Sequence, residues 1–212
     1  MKKKKIPKKY KRQLGCLILL VPAAIVAATL GALLYMLVNS ASMMNTLKEA
    51  PNHIIEMEVP EENIPLYKEA AEVYSIPWTL LAAHHRIETR FSTMDPLLSP
   101  VGAEGHLQFM PCTFVGWSHP TCSGKGQGEI SEEDKTNLDV IAYYGGYGVD
   151  GNGDGIADPY NLTDSLHSAA NYLSQNGAAE GDLENAIFQY NHSEEYVADV
   201  LHYYRMYEEE YN

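Results

Sequence analysis

Basic residues are scarce in this 212-residue chain beyond its first few positions. The sequence holds 15 Lys and Arg against 28 Asp and Glu, a formal net charge of −13 at pH 7. Eight of the basic residues lie in residues 1–12, so residues 13–212 carry the other seven with all 28 acidic residues, a net charge of −21. Because a phosphate backbone favours clustered Lys and Arg, such an acidic body argues against nucleic-acid binding.

Charge of either sign is missing from Leu14–Val38, an apolar run of 25 residues. A helix of that length spans a bilayer core of about 30 Å, whereas a cleaved signal peptide usually has an apolar region of about 7–15 residues. We therefore predict a basic cytoplasmic tail over 1–13 and a transmembrane helix over 14–38. The basic tail holds the N-terminus in the cytoplasm. The sequence thus predicts a single-pass protein of the cell membrane whose remaining residues lie outside the cell.

Cysteine is rare as well, with three residues in the chain. Cys16 lies within the predicted span, whereas Cys112 and Cys122 lie in the part predicted to be outside the cell. An extracellular location permits a disulfide between these two, and a pair of free thiols is the alternative.

No segment of the outer part has a convincing strand pattern. Residues 39–62 are polar and acidic with weak periodicity, which predicts a stalk, and residues 63–212 have the texture of one globular domain. Residues 116–136 are predicted to form a loop. The fold class is predicted to be mostly α, with helices over Pro65–Ser75, Pro77–Arg90, Thr163–Asn176, Leu183–Tyr190 and Glu194–Glu209.

A single carboxylate, Glu88, ends the predicted Pro77–Arg90 helix between apolar Ile87 and Phe91. Partial burial would raise the pKa of Glu88, as a general acid at neutral pH requires. The alternative is a solvated glutamate that pairs with a neighbouring arginine. His84 and His85 precede it without the HExxH order of a zinc site, so we expect core or hydrogen-bonded histidines.

Two glycine-rich segments follow. The first, Gly102–Pro111, has no strand before it, and a tight turn that presents Gln108 to a polar ligand suits it better than a dinucleotide loop. The second begins with Asp150, Asn152 and Asp154, the alternating oxygen ligands of a calcium loop, and Ile156 would offer its carbonyl. Its twelfth position is Asn161 instead of Glu, so Asp158 or Asp164 would supply the missing carboxylate. An ordinary Asx/Gly turn is the alternative.

Taken together, four segments resemble the lytic murein transglycosylases with a lysozyme-like (SLT) domain, of the membrane-bound lytic transglycosylase B type. The resemblance covers roughly residues 64–205. It rests on a helix that ends in Glu-Thr-Arg-Phe, the Gly-Ala-x-Gly-x-x-Gln-Phe-Met-Pro loop, the Asp-Gly-Asn-Gly-Asp-Gly loop and Tyr190-Asn191-His192. It implies a goose-type, lysozyme-like helical domain with a calcium-binding loop.

The resemblance also implies roles for individual residues. Glu88 falls on the catalytic acid/base, Ser99 on a serine that hydrogen-bonds it, and Gln108 on a glutamine of the sugar subsites. Tyr190 and Asn191 match a pair beside the catalytic carboxylate. A structural Ca²⁺ would be held by Asp150, Asn152, Asp154, the Ile156 carbonyl and Asp164. Two residues depart from the pattern: Glu104 adds a carboxylate beside the loop, and Cys112 fits a disulfide to Cys122 that is atypical of the family.

The implied reaction is cleavage of the bond between N-acetylmuramic acid and N-acetylglucosamine in peptidoglycan strands, without water, to leave 1,6-anhydro ends. Two alternatives remain open. A muramidase of the same fold would hydrolyse the bond and usually needs a second carboxylate, for which Asp95 and Glu104 are the nearby candidates. A wall-binding adaptor domain would have no catalytic activity.

Overall fold

The computed structural model describes residues 58–212. Their α-helices are Ile64–Tyr74 (α1), Trp78–Thr89 (α2), Pro111–Val115 (α3), Glu132–Thr136 (α4), Leu138–Tyr144 (α5), Leu162–Gln175 (α6), Leu183–Tyr190 (α7) and Glu194–Tyr211 (α8). Short 3-10 turns cover Glu61–Asn63 and Ala178–Glu180. Within 58–212 the only β pairing is two isolated bridges, Leu98 with Glu104 and Glu104 with Phe109. The prediction of a mostly α fold is therefore confirmed.

Helix α2 lies at the centre of the folded unit, Val59–Asn212. It packs against α1, α6 and α8, and the six consecutive residues from Leu80 to His85 are all buried. A helix that is buried on every side must be surrounded by other elements. The core therefore forms around the helix that carries Glu88 near its end.

The two longest helices, α6 and α8, begin at side-chain caps that the sequence makes available. Asn161 accepts the N–H groups of Thr163 and Asp164 at the start of α6, and Ser193 accepts the N–H of Tyr196 at the start of α8. Each cap satisfies backbone donors that a helix start leaves unpaired. The five predicted helices agree with α1, α2, α6, α7 and α8 to within a few residues. The short helices α3, α4 and α5 were not predicted, and α4 interrupts the predicted loop over 116–136.

The glycine-rich loop after α2, residues 102–111, lies directly against the end of the acidic loop, residues 150–161. Gly105 has φ +76°, and a Cβ atom at this position would lie 1.8 Å from the carbonyl oxygen of Pro159. The next residue, His106, donates its N–H to that same oxygen. Only glycine allows so close a contact, so the two loops are joined through their backbones.

No helix within residues 58–212 has both the length and the apolar character needed to cross a membrane. The transmembrane helix predicted over 14–38 lies outside the described residues, as do Cys16 and most of the predicted stalk.

Candidate functional site

Glu88 lies in the last turn of α2, where the chain leaves the helix abruptly. Arg90, Phe91 and Ser92 all have positive φ values, between 50° and 67°. Non-glycine residues rarely adopt this conformation, and those that do are enriched at turns, helix ends and functional sites. The Thr89 hydroxyl donates to the carbonyl of His106 at 2.8 Å and so joins the helix end to the glycine-rich loop. The end of α2 is thereby held in a fixed orientation.

The Glu88 carboxyl group is sheltered from solvent and has one hydrogen-bond donor. The Tyr196 hydroxyl, from α8, donates to Glu88 Oε1 at 2.5 Å. Burial raises the pKa of Glu88 from 4.5 to about 7, although the Tyr196 hydrogen bond acts in the opposite direction. Neither Arg86 nor Arg90 forms an ion pair with it in the described part of the chain. Glu88 is therefore a partly buried carboxyl group that can hold or release a proton near neutral pH.

Tyr190 stands beside this carboxyl group at the end of α7. Its hydroxyl donates to the Leu107 carbonyl at 2.8 Å, and its ring packs against His84 and Phe109 at centroid distances of 4.8 and 5.6 Å. The negative charge of Glu88 adds to the effect of burial in raising the pKa of Tyr190. The next residue, Asn191, is exposed and ends α7. The structure thus brings Tyr190 close to Glu88, whereas no hydrogen bond joins Asn191 to Glu88 within residues 58–212.

Ser99 does not form the hydrogen bond to Glu88 that the resemblance implied. Its Oγ instead accepts the N–H of Ala103 at 2.8 Å, inside its own turn. Tyr196 occupies the hydrogen-bonding position on Glu88. The bond to Ala103 holds the Ser99 side chain within its own turn, and within residues 58–212 this side chain forms no hydrogen bond to Glu88.

A cleft of about 240 Å³ opens between the glycine-rich loop, α6 and α7. Gln108 lines it, with φ 51° and its Nε2 donating to the Gly105 carbonyl. Glu88 itself is not in the wall, and Tyr190 connects the carboxyl group to the cleft. Its wall combines aromatic and apolar side chains with a few polar groups, as ligand-binding clefts commonly do. The remaining lining residues are Phe109, Met110, Thr113, Trp117, Lys125, Tyr172, Gln189 and His192.

The two candidates for a second carboxylate are placed differently from Glu88. Glu104 forms an ion pair with Lys135 at 2.7 Å, and both side chains are largely buried. Asp95 is exposed in the turn after α2. A carboxylate whose oxygen is engaged by a lysine is less available as a nucleophile or a base, because the ammonium group occupies that oxygen and withdraws its electron density.

The acidic loop brings three carboxylates together. Oxygen atoms of Asp150, Asp154 and Asp164 all lie within 4.8 Å of one another. One ion at a calcium–oxygen distance of about 2.4 Å could therefore touch all three. Asp158 is outside this cluster and caps the N–H of Tyr160 instead. Of the two candidates for the missing carboxylate, the geometry favours Asp164.

Backbone N–H groups shape this loop around the carboxylates. Asp150 accepts the N–H groups of Gly153, Asp154 and Gly155, and Asp164 accepts those of Gly151, Asn152 and Asp158. Burial raises the pKa of Asp164, as does the charge of Asp154, whereas these backbone donors lower it. Hard oxygen donors in this number suit Ca²⁺, so the residues present fit the expected ion.

Cys112 and Cys122 form a disulfide in the structure. It fixes the start of α3 to the loop that follows. This loop continues to Lys125 and Gly126, and the Gly126 carbonyl accepts the N–H of Cys112. The bridge therefore lies behind the wall of the cleft that Trp117 and Lys125 form.

Sequence reasoning missed the residues that surround Glu88 most closely. Tyr196 lies on α8, 108 positions further along the chain, and nothing in its local pattern indicates a partner on α2. His84, one turn before Glu88 on the same face of α2, was expected to be a core or hydrogen-bonded histidine. It is buried, and its Nδ1 lies 2.9 Å from the Tyr196 hydroxyl oxygen.

Comparison with known proteins gives one family match. Residues 140–184 match the family model of the transglycosylase SLT domain. This match supports a domain of the lytic transglycosylase type. The mostly helical fold of residues 58–212 is consistent with it. Neither the curated proteins nor the solved structures contain a match to the chain.

The transglycosylase match covers the acidic loop, α6 and the first residues of α7. Glu88 and Tyr196 lie outside it. Glu88 is instead distinguished by its raised pKa, its hydrogen bond from Tyr196 and its proximity to Tyr190.

Proposed function

We propose that this protein is a peptidoglycan lytic transglycosylase of the membrane-bound lytic transglycosylase B type, with Glu88 as its acid/base. The observation that carries the proposal is the partly buried carboxyl group of Glu88, whose pKa is raised to about 7, close to Tyr190 in the wall of a cleft of aromatic and polar side chains. The family match at residues 140–184 supports the class of domain.

A single carboxyl group is sufficient for the proposed chemistry. Protonated Glu88 donates its proton to the glycosidic oxygen between N-acetylmuramic acid and N-acetylglucosamine. The resulting carboxylate then takes the proton of the muramoyl 6-hydroxyl, whose oxygen bonds to C1 and closes the 1,6-anhydro ring. The leaving sugar keeps the first proton and Glu88 regains one, so no water is consumed. A pKa near the working pH serves both steps.

A digest of purified sacculi with the full-length chain tests this function. We expect mass spectrometry to show muropeptides with 1,6-anhydro ends. Reducing ends would instead indicate a muramidase, and an intact sacculus that still binds the protein would indicate a wall-binding adaptor. Either result would overturn the proposal.

We also propose a structural Ca²⁺ held by Asp150, Asp154 and Asp164, with the Asn152 side chain and the Ile156 carbonyl as further ligands. The convergence of three carboxylates supports it. When bound, the ion would neutralise their mutual repulsion and rigidify the loop that touches Gly105. None of the proposed proton transfers involves the ion.

Removal of calcium is expected to destabilise the full-length protein. An ion present at about 100 times its dissociation constant stabilises the folded state by about 2.7 kcal/mol, so chelation should lower the melting temperature by about 5 °C or more. Asp164→Asn should abolish most of this difference, whereas Asp158→Asn, outside the cluster, should preserve it. A melting temperature of the wild type that does not respond to chelator and added calcium would refute the site.

The anchor over residues 14–38 and the extracellular location of the domain are proposals that rest on the sequence. They agree with a substrate that lies outside the membrane. Extraction of cell membranes at alkaline pH tests the anchor, because release of the protein into the supernatant would exclude an integral span.

A further inference from the structure

His84 and Tyr196 form a series of hydrogen bonds that ends on Glu88. The Tyr196 hydroxyl donates to Glu88 Oε1 at 2.5 Å, and His84 Nδ1 lies 2.9 Å from the same hydroxyl oxygen. Burial raises the pKa of Tyr196, as does the neighbouring charge of Glu88, so this hydroxyl keeps its proton. A phenol has one proton, and the shorter of the two contacts, 2.5 Å to Glu88 against 2.9 Å to His84, assigns it to Glu88. His84 must therefore donate its Nδ1–H to the Tyr196 oxygen.

The other nitrogen of His84 is consistent with this direction. Nε2 is buried and has no hydrogen-bond partner within residues 58–212. In the tautomer that carries its proton on Nδ1, this atom is a bare lone pair, whereas the opposite tautomer would bury an unpaired N–H donor. His84 is fully buried, which lowers its pKa to about 3, so the ring stays neutral. The rings of Tyr190 and Tyr196 pack against it at 4.8 and 5.8 Å and hold its orientation.

The direction of this series decides which oxygen of Glu88 carries the acid proton. Because Oε1 always accepts from Tyr196, the proton of the acid form must reside on Oε2. No described residue forms a hydrogen bond to Oε2, so no protein group competes with a substrate for the proton on this oxygen. With the opposite tautomer, Tyr196 would donate to His84, and Glu88 would point its proton at Tyr196 and away from the substrate.

We propose that His84 is a positioning residue that, through Tyr196, keeps the acid proton of Glu88 on Oε2. Its use in catalysis rests on the proposed transglycosylase function, but the hydrogen-bond arrangement does not. Adjacent hydrogen bonds also polarise each other, so loss of the His84 bond weakens the bond from Tyr196 to Glu88. The group that transfers the proton remains Glu88.

The tautomer of His84 is measured first, by ¹⁵N NMR of the full-length protein labelled at histidine. We expect a protonated Nδ1 and a bare Nε2. A proton on Nε2 overturns the proposal whether or not the protein cleaves peptidoglycan. The NMR measurement therefore tests the hydrogen-bond arrangement alone. Failure of the proposed function would show separately, as absence of peptidoglycan cleavage by the wild type.

Paired substitutions then test the effect on Glu88. His84→Leu removes the donor, whereas His84→Asn places an amide N–H near the position of Nδ1. We expect His84→Leu to lower kcat by about 3- to 10-fold with little change in KM, as loss of one hydrogen bond implies, and His84→Asn to recover part of this loss. We also expect the pKa of Glu88, followed by ¹³C NMR of its carboxyl group, to rise in His84→Leu, since the Tyr196 bond lowers it. Equal losses in both variants would show a purely structural role and refute the proposal.

Two further variants complete the test. Tyr196→Phe should make a second substitution of His84 to Leu nearly silent in kcat, because the pathway to Glu88 is already broken. His85→Leu is the matched control, since His85 is an adjacent buried histidine whose hydrogen bonds go to Tyr67 and Ser92. It should leave the pKa of Glu88 unchanged. The proposal would be contradicted if the losses in kcat from the two single substitutions were fully additive in the double variant. It would also be contradicted if the pKa of Glu88 rose as much in His85→Leu as in His84→Leu.

Discussion

Glu88→Gln should lower the rate of release of anhydro-muropeptides from purified sacculi by about 100- to 10,000-fold, the usual contribution of a positioned acid/base. The amide cannot donate a proton to the glycosidic oxygen or accept one from the 6-hydroxyl. It still fills the same space and accepts the Tyr196 hydrogen bond, so the cleft should be preserved. The measurement is the initial rate of product release by mass spectrometry.

Glu104→Gln is the matched control for this experiment. It removes the other buried carboxylate near the loop, which is paired with Lys135. A lyase with one acid/base should retain most of its activity in this variant. A loss as large as that of Glu88→Gln would indicate a two-carboxylate hydrolase, and full activity of Glu88→Gln would remove Glu88 from the mechanism.

Glu88→Gln should also stabilise the folded protein at alkaline pH. Burial raises the pKa of Glu88 from 4.5 in the unfolded chain to about 7 in the folded one. Between these values the folded state binds more protons than the unfolded state, so the free energy of unfolding falls as the pH rises through this window. This difference in pKa lowers the free energy of unfolding of the wild type by about 3 kcal/mol at most. Gln resembles the neutral acid and does not incur this cost.

Urea denaturation at pH 5 and pH 8 measures the effect. The free energy of unfolding of Glu88→Gln should be close to that of the wild type at pH 5 and higher by up to about 3 kcal/mol at pH 8. Glu209→Gln, an exposed change on α8, should show no such difference between the two pH values. If the difference in free energy of unfolding between wild type and Glu88→Gln were the same at both pH values, the pKa of Glu88 would not be raised by folding.

Local sequence patterns predicted much of the helical framework. Proline at the starts of α1 and α2 and apolar residues at helical spacing were sufficient for five helices. The short helices α3, α4 and α5 were not predictable, because segments of five to seven residues have too few turns for a periodic pattern. Their stability comes from packing instead of from local preference.

Some residues of the candidate site could likewise be predicted from the sequence, and others could not. Glu88 and the three aspartates of the acidic loop were identified because their spacing along the chain has chemical meaning by itself. The Ser99 contact was wrong, and Tyr196 was missed, because each depends on which distant elements pack against the end of α2. The choice of Asp164 over Asp158 likewise required the loop geometry, since both lie at plausible distances along the sequence.

By itself, the sequence determined the uneven charge of the chain, its mostly helical character, and a carboxylate at the end of an apolar helix. These properties depend on composition and on periods of a few residues. Only the tertiary structure decided that α8 places Tyr196 on Glu88, that His84 stands behind it, and that Lys135 holds Glu104. The physical reason is that hydrogen bonds, ion pairs and burial act over a few ångströms in space. Residues more than 100 positions apart become partners only when helices pack.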